Sequence, residues 1–195
     1  MRLQNFFLLV IFSLIFAESA SAHQATGIVG GFTSGFSHPI FGFDHVVAMV
    51  AVGLWGAFLK KPAIWALPII FPLVMAFGGA LGVVGIPLIG VETGIATSAI
   101  VLGLMVALTI RPPLWIAATL VGAFAIFHGH AHGAELPNAA NPFTYSLGFV
   151  LSTGLLHLSG IAFGLIERFS FGRIAIQAAG ALIALTGVGF LSGAL

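Results

Sequence analysis

Residues 113–135 read PLWIAATLVGAFAIFHGHAHGAE. The first part, Pro113 to Phe127, is uncharged and apolar, and only the last turns carry polar chemistry. With the histidine turns included, the segment is long enough to cross a bilayer, whose hydrocarbon core asks for about 20 helical residues. Three imidazoles and a carboxylate at the end of such a span are expensive to place in lipid unless they pair, coordinate or line a wet path. The stretch therefore predicts both a membrane-embedded helix and the place on it where chemistry is concentrated.

The same apolar pattern recurs on both sides. Runs at roughly 39–59, 63–85, 92–110, 143–167 and 173–194 join 113–133, giving an expectation of about six transmembrane helices in an all-α, polytopic bundle. Proline, glycine and charge separate them at Lys60-Lys61-Pro62, Gly85-Ile86-Pro87, Arg111-Pro112-Pro113, Glu135 to Pro142, and Arg168 to Arg173. Composition agrees: 59% of the 195 residues are hydrophobic and 6% are charged, too few charges to hold a soluble domain of this size in water. Residues 1–22 read as a cleavable export signal, with Arg2, the apolar run Phe6 to Ala17, and the small-residue pattern Ala20-Ser21-Ala22. The mature chain, 23–195, is expected to be a single transmembrane domain beginning at His23.

Beyond the signal, every Lys and Arg falls in the first, third or fifth connection, and Glu92 and Glu135 fall at the second and fourth. The positive-inside rule then places the odd connections in the cytoplasm and both mature termini outside, in a multi-pass inner (plasma) membrane protein. Gly78-Gly79-Ala80, Gly129 with Gly133, and Gly180 with Ala181 predict close helix contacts. No cysteine is present, which excludes disulfides, thiolate metal sites and cysteine nucleophiles. A net charge of +1 without a basic run argues against nucleic acid, and no phosphate-binding loop is present to couple ATP.

Two stretches hold the candidate ligands. In 128–135, His128, His132 and Glu135 share one stripe by i, i+4, i+7 spacing, and His130 points away. In 38–49, Pro39 suits a first helical position with His38 near the N-cap; His38 and His45 then lie on nearly one face, with Met49 four residues after His45 and Asp44 about 100° round from it. Imidazole and carboxylate suit divalent Ni, Co, Zn and Cu. Both stretches are expected at the same outer face. Glu92, at the outer start of the third span, is either an anionic attractor or a plain loop glutamate. His157, midway along the fifth, is either a pathway residue or a partner of a neighbouring helix. His23 would chelate through its imidazole and the free α-amine. Without a metal, the first stretch reads as a hydrogen-bonded helix cap and the second as a proton relay or as interfacial decoration.

The pattern HxxxxxDH at His38, Asp44 and His45, with FHGxAHGxE from Phe127 to Glu135, resembles the signatures of the HupE/UreJ family of nickel/cobalt permeases, over essentially the whole chain. The resemblance implies secondary, ATP-independent movement of Ni2+, and Co2+ as a further cargo, with no prosthetic group, no catalysis, and delivery toward hydrogenase or urease maturation proteins or cyanobacterial metal needs. It assigns metal contact to His38, Asp44, His45, His132 and Glu135, then His128, with Glu92 accessory; His130 occupies a variable position. The competing class is a membrane-embedded zinc hydrolase, which uses a similar ligand set around an open coordination position.

Overall fold

Proline and glycine set most of the helix boundaries. The computed structural model describes residues 27–136 and 141–195; the expected export signal and His23 lie outside them. Its elements are α1 (Gly27–Phe41), α2 (Phe43–Leu59), α3 (Ala63–Val83), α4 (Val91–Ala107), α5 (Leu114–Ala134), α6 (Pro142–Gly164), a 3-10 turn (Leu165–Arg168) and α7 (Gly172–Ser192). Pro113 and Pro142 stand at the starts of α5 and α6, and the Asn141 side chain accepts from the Phe143 and Thr144 N–H groups to cap α6. Among the described residues, every regular element is helical.

The start of the first expected span differs from the sequence reading. Pro39 lies inside α1, and the chain breaks at Gly42, where α1 and α2 meet at 77°. Gly42 adopts an extended conformation; its N–H donates to the His38 carbonyl (3.0 Å), and its own carbonyl accepts from Val46 N–H (2.9 Å), closing one helix and opening the next. His38 and His45 thus belong to different helices rather than to one face of a single helix. The residues before Pro39, GIVGGFTSGFSH, have a weak helix propensity because of their glycines. Packing overrides it: a Cβ at Gly35 would fall on the Tyr145 carbonyl oxygen, so these small residues seat α1 directly on α6.

Four helices (α3, α5, α6 with its 3-10 turn, and α7) are long and apolar enough to cross a membrane singly, and the bent α1–α2 pair passes the same test when taken together as one broken segment. The expected span at 92–110 is the 17-residue α4, about 25 Å long at 1.5 Å per residue and at the short end of membrane-spanning lengths. Trp65, Ile69, Leu73 and Phe77 form an exposed i, i+4 stripe on α3, an outer surface suited to lipid and not to water. The chain is a multi-pass membrane protein.

α2 is the central helix, with twelve of its 17 residues buried. It packs on α3, α4, α6 and α7, while α3 pairs with α5, α4 with α7, and α1 with α6. Gly129 and Gly133 of α5 meet α3 backbone to backbone: a Cβ at either would fall on the carbonyl oxygen of Met75 or Gly79, respectively.

At one end of the bundle, Glu167 accepts a 3.0 Å bond from Arg111 Nη2 and lies 3.9 Å from Lys60 Nζ, tying three connections together. All three side chains are part exposed, so Glu167→Ala is expected to lower stability in detergent by no more than about 1 kcal/mol. Thermal unfolding reads this; a loss above about 3 kcal/mol would identify a buried network instead.

Candidate metal centre

Opposite the Lys and Arg residues, three chain segments deliver side chains to one place. The last turn of α1 supplies His38, and the 77° break lets the chain re-enter the bundle at once with Asp44 and His45 in the first turn of α2. The end of α5 supplies His128 and His132 one turn apart, with Glu135 as its C-cap residue. One ligand atom each from His38, His132 and Glu135 lies within 4.8 Å of the others, and His38 Nε2 is 3.7 Å from Glu135 Oε2.

His132 Nε2 lies 2.8 Å from His45 Nε2 and 3.1 Å from its Nδ1, the rings standing edge-on with centroids 4.0 Å apart. Two neutral imidazoles at this separation share one N–H; when both nitrogens present lone pairs, only a cation between them relieves the repulsion. Asp44 Oδ2 lies 4.0 Å from His45 Nδ1, bringing negative charge to the same ring.

His128 is fully buried, its ring 4.8 Å from that of His45. Ser98 of α4 fixes its tautomer. The single Ser98 hydroxyl proton goes to the Ile95 carbonyl (2.6 Å), so Ser98 Oγ accepts from His128 Nε2–H at 2.9 Å. The lone pair then resides on His128 Nδ1, a buried nitrogen with no hydrogen-bond partner, as is His132 Nδ1. Unpaired buried donors and acceptors are rare enough to require an explanation, and a bound ion is one.

Aromatic rings wall the cluster. Phe149 of α6 lies 4.6 Å from His132 and 5.7 Å from His45 between centroids, and Tyr145 lies 6.3 Å from His38 with its hydroxyl buried and unpartnered. Such walls exclude water and strengthen any ion–ligand attraction inside. A recess of about 330 Å3 between α3, α5 and α6, lined by Met75, Gly79, Tyr145 and Phe149 among others, reaches His132.

The structure thus brings together His38, Asp44, His45, His128, His132 and Glu135. Glu92 is exposed in the first turn of α4, outside the group that converges; Met49 is wholly buried in the apolar core; His157 lies deeper on α6. His130 turns away, as its spacing predicts, and its Nε2–H donates to the Ile86 carbonyl at 2.7 Å, holding the α3–α4 connection. Ser98 and Tyr145 were not among the sequence candidates: a serine or a tyrosine in an apolar helix gives no signal until its neighbours on other helices are known.

A family model described as HupE / UreJ protein matches residues 10–190. Protein HupE of Rhizobium leguminosarum bv. viciae is 43% identical over 173 residues, an alignment that covers 88% of this chain and 91% of the relative. No solved structure matches. With nearly the whole chain matched at this identity, and the two His-containing stretches meeting in space, the protein belongs to the HupE/UreJ family.

Proposed function

We propose that this protein carries Ni2+, with Co2+ as a second cargo, across the bacterial inner membrane without ATP. The observation that carries this reading is the meeting of four imidazoles and two carboxylates from α1, α2 and α5 at one end of the bundle, with two ring nitrogens there buried and unpartnered. The basic residues gather at the opposite end; by the positive-inside rule that end is cytoplasmic, the cluster faces outward, and α4 completes six crossings with both termini outside.

In this reading Glu135 and His38, the more exposed members, meet the hydrated ion first. His132 and His45 replace part of its water shell with neutral nitrogen ligands, while Asp44 and Glu135 offset the divalent charge in low dielectric. Glu92 lies at the same end as an attractor. Several moderate ligands, rather than one closed cage, let the ion leave again. Metal released inside would supply hydrogenase or urease maturation. The recess beside His132 is the one feature that favours a zinc hydrolase, since it would admit a membrane-borne substrate; buried polar groups continuing along α6 favour passage.

Uptake of radioactive Ni2+ at low external metal, in a host lacking its own transporter, tests the reading. Uptake well above the empty vector supports it, and uptake at the empty-vector level would remove the nickel reading altogether.

A further inference from the structure

Below the cluster, α6 carries Tyr145, Phe149, Thr153 and His157 at successive i+4 positions. Thr153 and His157 are buried to within 1% of full burial, and neither Thr153 Oγ1 nor either ring nitrogen of His157 has a hydrogen-bond partner. Their neighbours behave differently. The hydroxyls of Ser152 and Ser159 close onto carbonyls of their own helix, at 3.0 and 2.7 Å.

α3 adds an oxygen at this level. Pro72 has no N–H to give the carbonyl four residues earlier, so the Pro68 carbonyl lacks its usual helical partner, and it faces the His157 ring. Gly53 of α2, eight residues and about 12 Å along the helix from His45, packs against the His157 backbone, which sets the depth of this group beneath the cluster. The Phe71 ring stands between the two levels, with centroids 5.7 Å from His128 and 5.6 Å from His157.

One His157 ring nitrogen at most can face the Pro68 carbonyl, and leaving the other nitrogen and the Thr153 hydroxyl unpaired in a lipid-embedded core destabilises the fold unless something binds them. We propose that His157, Thr153 Oγ1 and the Pro68 carbonyl form an inner transit site for a partly dehydrated divalent transition-metal ion leaving the outer cluster. This rests on the reading of that cluster as the metal entrance. The ligand types are one imidazole and two neutral oxygens, with no carboxylate, so the inner site holds the ion more weakly than the entrance and the ion is not trapped halfway.

The test uses the full chain in its membrane and purified in detergent. If these groups are metal ligands, His157→Leu lowers Ni2+ uptake by about tenfold or more and Thr153→Val by a smaller factor. Thermal unfolding should be unchanged or improved in both, since each removes an unpaired polar group without removing bulk. The chain has no cysteine, so His157→Cys introduces a single thiol. Titrated with Co2+, that variant should show a cobalt–thiolate charge-transfer band absent from the parent. Undiminished uptake in both His157→Leu and Thr153→Val overturns the inner site while leaving the entrance intact. Lost uptake without a thiolate band in His157→Cys also overturns it, making His157 a packing or proton-carrying residue. A parent protein that neither binds nor takes up Ni2+ or Co2+ removes the entrance reading, and the inner site with it.

Discussion

Replacing His45 or His132 by alanine is expected to reduce Ni2+ uptake at low external metal to that of cells without the protein, at matched levels in the membrane. These two rings are the junction of the cluster: His132 Nε2 lies within 3.1 Å of both His45 nitrogens, His132 also reaches the His38 and Glu135 pair, and His45 reaches His128. Losing either removes a ligand and also separates the exposed entrance pair from the buried histidine. Loss of a metal ligand or its supporting contact lowers affinity by about 10–100-fold, and at low external metal that loss passes directly into uptake. His130→Ala is the control. Its ring bonds the Ile86 carbonyl and not the cluster, so uptake should stay within about threefold of the parent. Retained uptake in His45→Ala at matched membrane level would take the cluster off the metal route.

How much of this was legible in the sequence depends on which contacts decide each feature. The helix ends at Lys60-Lys61-Pro62 and Arg111-Pro112-Pro113 follow from local chemistry, and helices begin within a residue of them at Ala63 and Leu114. The stripe of His128, His132 and Glu135 also follows from spacing on one helix. Its meeting with Asp44 and His45 followed from topology, since both stretches were expected at the same end. The helix Gly27–Phe41 and the break at Gly42 were not legible, because glycine-rich residues became helical only through their seat on α6. For the same reason the sequence reading put His38 on the helix of His45, whereas it reaches Glu135 from the end of α1. The Ser98 bond to His128 joins residues 30 apart on two helices and lies beyond any single-helix pattern.

The second large effect is on assembly. Gly129→Leu is expected to prevent accumulation of folded protein, because a Cβ there would fall on the Met75 carbonyl oxygen and 2.8 Å from Gly79 N. Overpacking between side chains usually costs about 1–3 kcal/mol and is relieved by repacking. Here the obstacle is the α3 backbone, which has no rotamer to change, and the remedy is to push α3 and α5 apart along their whole glycine seam, Gly133 against Gly79 included. The displacement would also carry His128, just before Gly129 on α5, and His132, one turn after His128, away from His45. Any fraction that did fold should therefore be inactive as well as scarce. Gly154→Ala is the matched control, since a Cβ at Gly154 meets nothing within 4 Å, and it should leave both accumulation and uptake near the parent. Membrane levels and thermal unfolding decide the matter: a Gly129→Leu protein that accumulates and unfolds like the parent would mean that α3 and α5 are not in backbone contact, and the geometry that joins His132 to His45 would lose its support.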